Sequence, residues 1–338
     1  MKKLINDPRE VVAEALEGFA LAFPSLVTVH NDPVWVGRAN PAPEGRVALV
    51  SGGGSGHEPL HAGFVGEGML DAAVPGAVFT SPTPDAIEAA TRGVDHGAGV
   101  VHIVKNYTGD VLNFETAAEL CAADGISVQQ VLVNDDVSVE DSTWTAGRRG
   151  VAGTVVVEKI AGAACARGDD IDTVVRIAQE VVANTKSMGL ALSACTVPHA
   201  GKPSFDLRDD EVEMGVGIHG EPGRATVSMA TADELTAQLV DPLLAELPDS
   251  GEVLVLVNGM GATPESELFI VYRAVRHRLA QTNLTVERSL VGNYTTSLDM
   301  AGVSVTITAL TAEMKQLWDA PVITPSLIWK DSSPRKDV

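Results

Sequence analysis

The sequence is short of the residues that would announce most functional classes. Its 338 positions hold three cysteines, Cys121, Cys165 and Cys195, an odd number with no C-x-x-C spacing. That excludes a disulfide scaffold and a thiolate metal site, and it predicts reduced, structural thiols in a cytoplasmic protein. Basic residues are scarce, 24 Lys and Arg against 45 Asp and Glu, giving a formal net charge of −21. Nucleic acid is held by concentrated positive charge, so no nucleic-acid partner is expected. Such acidity serves solubility more often than recognition. No apolar run approaches the ~18 residues that span a bilayer, and Met1 to Asp7 carry no apolar signal core. No membrane association is expected. Aromatic residues make up only 4%, and the hydrophobic 45% is rich in Ala and Val, which with 32 glycines suits tightly packed strands and helices.

Against these absences stands one dense segment, Ser51-Gly52-Gly53-Gly54-Ser55-Gly56-His57-Glu58-Pro59. It follows the apolar run Val47–Val50 with no spacer. Glycine lets the backbone approach a small ligand closely or adopt positive φ. A strand running into such a loop is where open α/β sheets place their ligands, and His57 adds a group that exchanges protons near neutral pH. A nucleotide P-loop needs Lys after its last glycine, and His57 stands there instead. The dinucleotide fingerprint G-x-G-x-x-G fits poorly, and the nucleophile elbow G-x-S-x-G fails by one position. A loop that merely turns the chain is the competing reading; the embedded histidine argues against it.

The length predicts two domains, since single cores stop growing at about 250–300 residues. Asp7 as N-cap, Pro8 and Glu10 predict a first helix carrying Val12, Leu16, Phe19 and Phe23 on one face. Thr83-Pro84 opens a second helix, 114–123 forms a third stopped by Gly125, and two more run over 151–167, ended by Gly168, and 171–186. Apolar runs at 100–104 and 128–133 each enter a polar loop, so β-strands alternate with helices in a βαβ-type sheet. Three strand-to-loop transitions at one sheet edge would bring His57 and Asp110 together. From about residue 186 the texture changes: 187–205 is irregular, 209–211 is an acidic knot, and His219 sits in a second glycine-rich segment. A helix capped by Thr231 and Glu234 and ending near Pro248, a strand over 253–257, a helix over 264–281, and strands around 286–290 and 303–310 complete the pattern. The expected fold is two α/β domains, 1–185 and 186–331, each a sheet flanked by helices, with the substrate site between strand-end loops and the second domain, then a frayed tail at 332–338.

Three motifs converge on one family: GGGSGHEP at 52–59, KNYTGD at 105–110 and GIHGEPG at 217–223. In this order, and over about residues 1–330, the chain resembles the dihydroxyacetone-binding subunits of the dihydroxyacetone kinase family. The resemblance implies that His219 forms a covalent hemiaminal with the carbonyl carbon of the substrate. It implies catalytic roles for His57 and Asp110, and substrate contacts from Gly54, Ser55, Gly56 and Lys105. A chain of this length is expected to lack the family's nucleotide-binding part. The resemblance therefore implies a separate kinase subunit carrying ADP or ATP with Mg²⁺, no metal or cofactor on this chain, and a homodimer. In the bacterial version a phosphotransferase-system carrier recharges the nucleotide from phosphoenolpyruvate; plain ATP exchange stays open.

Elementary chemistry agrees with that reading. Dihydroxyacetone is small and polar, and hydrogen bonds distinguish it poorly from glycerol. A nitrogen–carbon bond does distinguish them, because glycerol has no carbonyl, and a neutral imidazole is a competent nucleophile. An aspartate beside the terminal hydroxyl accepts its proton as oxygen attacks phosphorus, as in protein kinases. His57 would hydrogen-bond substrate oxygens and share the acid–base work. The plainer alternatives are Asp110 as a turn former and Lys105 as a solvated strand-end residue. His61, four residues from His57, is expected to stand behind the site, and the other histidines receive no role. Two further functions stay open: a non-catalytic dihydroxyacetone sensor acting on a transcription factor, and a kinase subunit for a related ketose such as erythrulose.

Overall fold

The computed structural model describes residues 2–139, 147–221 and 223–330, in a mixed α/β architecture of two six-stranded sheets with helical layers on their faces. The first sheet contains β1 (Val27–Asn31), β2 (Val34–Arg38), β3 (Ala48–Ser55), β4 (Ala72–Val78), β5 (Val100–Lys105) and β6 (Val128–Val133) in the order β1-β2-β4-β3-β5-β6. Its β4-β3-β5-β6 part is parallel, and β1 and β2 extend it as an antiparallel edge. The second sheet contains β7 (Thr185–Ala191), β8 (Glu211–Met214), β9 (Ala225–Ser228), β10 (Ser250–Gly259), β11 (Asn283–Gly292) and β12 (Gly302–Ala309) in the order β11-β10-β12-β7-β8-β9. Only its β10–β11 pair is parallel.

Side-chain alternation divides each sheet between two cores. On one face of the first sheet, Val50, Val74, Val100 and Val104 pack against α2 (Pro84–Val94) and α3 (Thr108–Ala123). On its other face, Leu49, Val101, Ile103 and Val131 meet α4 (Gly153–Arg167) and α5 (Ile171–Ala183). The same core includes Leu254 and Leu256 of β10 together with Met314 and Leu317 of α8 (Ala312–Asp319). The intervening Val253, Val255 and Val257 face the opposite way, onto α6 (Ala232–Leu244) and α7 (Glu265–Leu279). The chain passes from the first sheet to the second at Thr185, and the two sheets share one of their cores, the one around α4. Helix α4 is accordingly buried from Gly153 to Cys165, with Glu158 and Lys159 inside.

Several elements depart from the sequence expectation. The glycine run is strand, not loop: β3 continues through Ser55, hydrogen-bonded to β4. A Cβ at Gly52, Gly53 or Gly54 would lie 2.6 Å from the Val74 carbonyl oxygen, 2.3 Å from Lys105 Nζ or 2.6 Å from the Thr80 amide nitrogen. Those glycines serve close packing, and only Gly56, at φ +104°, uses glycine's wider backbone range. Asp7 does not cap the first helix; its carboxylate binds Arg9, and α1 spans Val11–Ala22. Thr108-Gly109-Asp110 is the first turn of α3, where a carboxylate is favoured by the helix dipole. Helix α5 stops at Ala183, so Lys186 and Ser187 lie in β7, and the acidic knot runs into β8. Strands β1, β2, β4 and β9 and helix α8 lie outside the sequence expectation, although Thr311 caps α8 and Met314, Leu317 and Trp318 recur at helical spacing. The Thr231–Glu234 capping box forms as expected, although α6 ends at Leu244. The expected tail at 332–338 lies outside the described residues. Among the described residues no helix is long and apolar enough to cross a membrane, and no group of three or more His, Cys, Asp or Glu could hold a metal.

Candidate functional site

Because β3, β4 and β5 are parallel, their carboxyl ends meet at one sheet edge, the usual ligand position of such sheets. There they line a cleft of about 440 Å³ with Gly54 from β3, Phe79 and Thr80 after β4, Tyr107 and Asp110 after β5, and His219 from the second half of the chain. A second, largely apolar cavity of about 420 Å³ opens on the other side of Gly53 and Gly54, toward α1. Asp110 and His219 line the first.

His219 is boxed in by rings. Tyr107, His57 and Phe79 stand edge-on to it at centroid distances of 4.4, 4.7 and 5.3 Å. Glu221 holds it twice: one carboxylate oxygen accepts from the His219 amide at 2.9 Å, and the other lies 3.1 Å from the ring Nδ1. Burial alone would raise the Glu221 carboxyl, but His219 and Arg149 together keep it down at about 2. An ionised Glu221 only accepts, so the ring proton sits on Nδ1 and Nε2 carries the lone pair. Gly217 makes this compact turn possible, since a Cβ there would lie 2.1 Å from a Glu221 oxygen. Arg149 joins the halves: it donates to Asp136 after β6 at 2.8 Å and to the Gly215 carbonyl at 2.7 Å.

His57 is fully buried, with Nδ1 2.8 Å from the Thr296 carbonyl oxygen, so it donates there and leaves Nε2 as an acceptor with no protein partner. Burial, with the nearby His219 and Lys105, pushes it well below its ordinary value, and the ring is neutral. It stacks on Phe79 at 5.1 Å; Phe79 itself has φ +56°, a conformation that side-chain-bearing residues rarely adopt outside constrained sites. Asp110 is 2% exposed, and its Oδ1 has no protein partner, while Oδ2 lies 3.9 Å from Lys105 Nζ. A buried acceptor left open at a cleft is a position made for a donor on a ligand.

A family model described as the Dak1 domain matches residues 17–326. The chain belongs to the Dak1 domain family. It is 50% identical to the PEP-dependent dihydroxyacetone kinase, dihydroxyacetone-binding subunit DhaK, of Escherichia coli (strain K12), over 97% of this chain and 99% of that one. The native crystal structure of the dihydroxyacetone kinase of C. freundii superposes with a TM-score of 0.90 at 37% identity, covering all of this chain and 62% of the other. The dihydroxyacetone kinase operon co-activator Dha-DhaQ superposes with a TM-score of 0.89 at 34% identity, over 96% of this chain and 100% of that one.

In this Dak1 chain the residues singled out from sequence fall into two groups. Gly54, Asp110 and His219 line one cleft, with His57 packed against His219. Ser55, Gly56 and Lys105 are held behind it. The Ser55 hydroxyl donates to the Gly76 carbonyl at 2.7 Å, the Gly56 amide donates to Glu58 at 3.0 Å, and Lys105 Nζ lies beneath Gly53. Sequence reasoning missed Phe79, Tyr107, Arg149 and Glu221. Tyr107 and Glu221 lie inside the quoted motifs, and a carboxylate two residues after a histidine was the available signal. Phe79 and Arg149 reach the site only through the fold.

Proposed function

We propose that this chain is the dihydroxyacetone-binding subunit of a dihydroxyacetone kinase, working in the cytoplasm with a separate nucleotide-bearing subunit. The observation that carries the reading is the arrangement of two unpaired groups in one cleft: a histidine whose carboxylate partner frees Nε2, and an aspartate with an open oxygen. The Nε2 lone pair of His219 attacks the ketone carbon, the C=O π bond opens, and the oxygen takes up a proton. The Nδ1 proton, hydrogen-bonded to ionised Glu221, offsets the charge gained by the ring and passes to solvent as the oxygen takes one up from solvent, leaving a neutral hemiaminal. His57 Nε2 accepts a hydrogen bond from a substrate hydroxyl. Asp110 accepts the proton of the terminal hydroxyl as that oxygen attacks phosphorus, giving dihydroxyacetone phosphate.

The phosphoryl group comes from Mg²⁺-bound ATP on the partner subunit, leaving ADP that a phosphotransferase-system carrier recharges, with this chain acting as a homodimer. Mixing the chain with such a nucleotide subunit, Mg-ATP and dihydroxyacetone is expected to yield dihydroxyacetone phosphate. Intact-mass spectrometry without borohydride is expected to show a reversible triose adduct on His219. Turnover unimpaired by His219→Ala, His57→Ala and Asp110→Asn together would reject these roles. The likeness to the Dha-DhaQ co-activator supports a second reading, a dihydroxyacetone sensor; adduct formation without turnover in the presence of the nucleotide subunit would favour it. Faster turnover of erythrulose than of dihydroxyacetone would instead reassign the ketose.

A further inference from the structure

Behind the cleft lies a second imidazole–carboxylate pair that ketone capture does not use. Lys105 at the end of β5, His61 at the start of the 3₁₀ turn Ala62–Phe64, Glu158 on α4 and Ser51 on β3 are all buried together. Lys105 Nζ lies 2.6 Å from His61 Nε2, 3.2 Å from the Gly52 carbonyl oxygen and 3.9 Å from Asp110 Oδ2. His61 Nδ1 lies 2.6 Å from Glu158 Oε1 and 3.0 Å from Ser51 Oγ.

The Ser51 hydroxyl decides how the protons are arranged. It donates its hydrogen to the Ile103 carbonyl at 2.7 Å, so toward His61 it can only accept. The proton of the neutral ring therefore sits on Nδ1, shared with the Glu158 carboxylate, and Nε2 is a lone pair. Lys105 must donate to that lone pair and to the Gly52 carbonyl, and the Asp110 carboxylate at ion-pair distance suits an ammonium ion. The hydrogen bonds thus run from ammonium through neutral imidazole to carboxylate.

We propose that His61 and Glu158 are positioning residues for phosphoryl transfer: a buried relay that keeps Lys105 an ammonium ion beneath the Gly52–Gly54 strand and beside Asp110. The proposal rests on the kinase reading above. A fixed cation there offsets the negative charge that builds on the attacking oxygen as its proton moves to Asp110, where burial makes each charge count for more. Burial pushes Lys105 down and Glu158 up, to about 8; Asp110 and Glu158 oppose the first shift, Ser51 and Lys105 the second, and the two 2.6 Å contacts through His61 keep the pair charged. The other titratable groups facing this pocket, His57 and, beyond it, His219, supply no negative charge. Glu158 is fully buried with one oxygen unpartnered, a costly choice for a side chain that only fills space.

The test compares wild type, Glu158→Gln, His61→Leu and the double variant in the two-subunit assay, with folding checked by thermal melts. Each single variant is expected to lower kcat about 10- to 100-fold, as loss of an orienting partner does. The sign of the pH effect follows from the lost counter-charge: Lys105 sheds its proton at lower pH, so the high-pH limb of kcat moves down by about one unit or more. The double variant is expected to be no worse than the worse single one, and the His219 adduct is expected to form in all. A fall in kcat with an unmoved high-pH limb, or no fall, overturns the relay. Absence of both adduct and turnover in wild type overturns the kinase reading, and the relay with it. If Glu158→Gln fails to fold, His61→Leu and ¹⁵N NMR of wild-type His61 carry the test; a neutral ring protonated on Nδ1 supports the relay, and one protonated on Nε2 overturns it.

Discussion

The molecule uses the same imidazole–carboxylate pair in two places, and burial treats them differently. His219–Glu221 sits at the mouth of the cleft on a loop of the second half, at 3.1 Å, and its carboxyl is held at about 2. His61–Glu158 sits under the glycine strand, at 2.6 Å, and its carboxyl is pushed up by burial. Glu221 is held down first by His219, which contacts it through both ring and amide, and then by the field of Arg149, which cannot deprotonate; Glu158 reaches its cation, Lys105, only through His61. One pair is organised to free a nucleophilic nitrogen; the other, on the inference above, to maintain a charge.

The largest effect comes from removing the nucleophile. His219→Ala is expected to abolish the triose adduct and to lower turnover by at least about 10⁴-fold, as loss of a covalent catalyst does. Intact-mass spectrometry and the coupled assay check this, and an adduct that survives would break the comparison outright. Asp110→Asn is expected to keep the adduct and lose about 10³-fold in kcat, within the range for a general base. Separate adduct and turnover measurements expose that split.

Glu221→Gln sharpens the contrast at intermediate size. Adduct formation is expected to slow about 10- to 100-fold, because the ring loses its orienting acceptor. Stability provides a second readout. Glu221 is held below its ordinary 4.5, so its contribution is fully present above that value and is lost as pH falls toward about 2. Urea unfolding at pH 7 and pH 3 is therefore expected to show the variant's deficit shrinking on acidification, from at most about 3 kcal/mol at neutral pH. A deficit that is independent of pH would mean that Glu221 is not held ionised by His219 and Arg149. The smallest effect is expected at Ser55, whose hydroxyl is bonded to Gly76. Ser55→Ala is expected to cost about 1 kcal/mol of stability and leave capture kinetics unchanged; a lost adduct would place that hydroxyl in the site.

Much of the site was legible because the motifs are contiguous. GGGSGHEP, KNYTGD and GIHGEPG led to His57, Asp110 and His219, and apolar strands running straight into polar segments placed the first two at one sheet edge. The glycines were legible as a close approach, but not as strand residues, because only the neighbours reveal what a Cβ would strike: Val74, Lys105 and Thr80. Edge strands such as β1 and β9 were not legible. Their residues are largely exposed and carry too little alternation to separate them from loops.

By itself the sequence determined the chemistry on offer: acidic surface, reduced thiols, alternating strands and helices, and three motifs holding a nucleophile, a base and a lysine. Local patterns record such things because periodicity, caps and short motifs act within a few residues. The tertiary structure decided which charges survive. The field of Arg149 reaches Glu221 across 72 positions of chain, and His61 meets Glu158 across 97. How firmly a buried carboxylate is held ionised depends on groups brought next to it in space, and no local pattern specifies those that come from far along the chain.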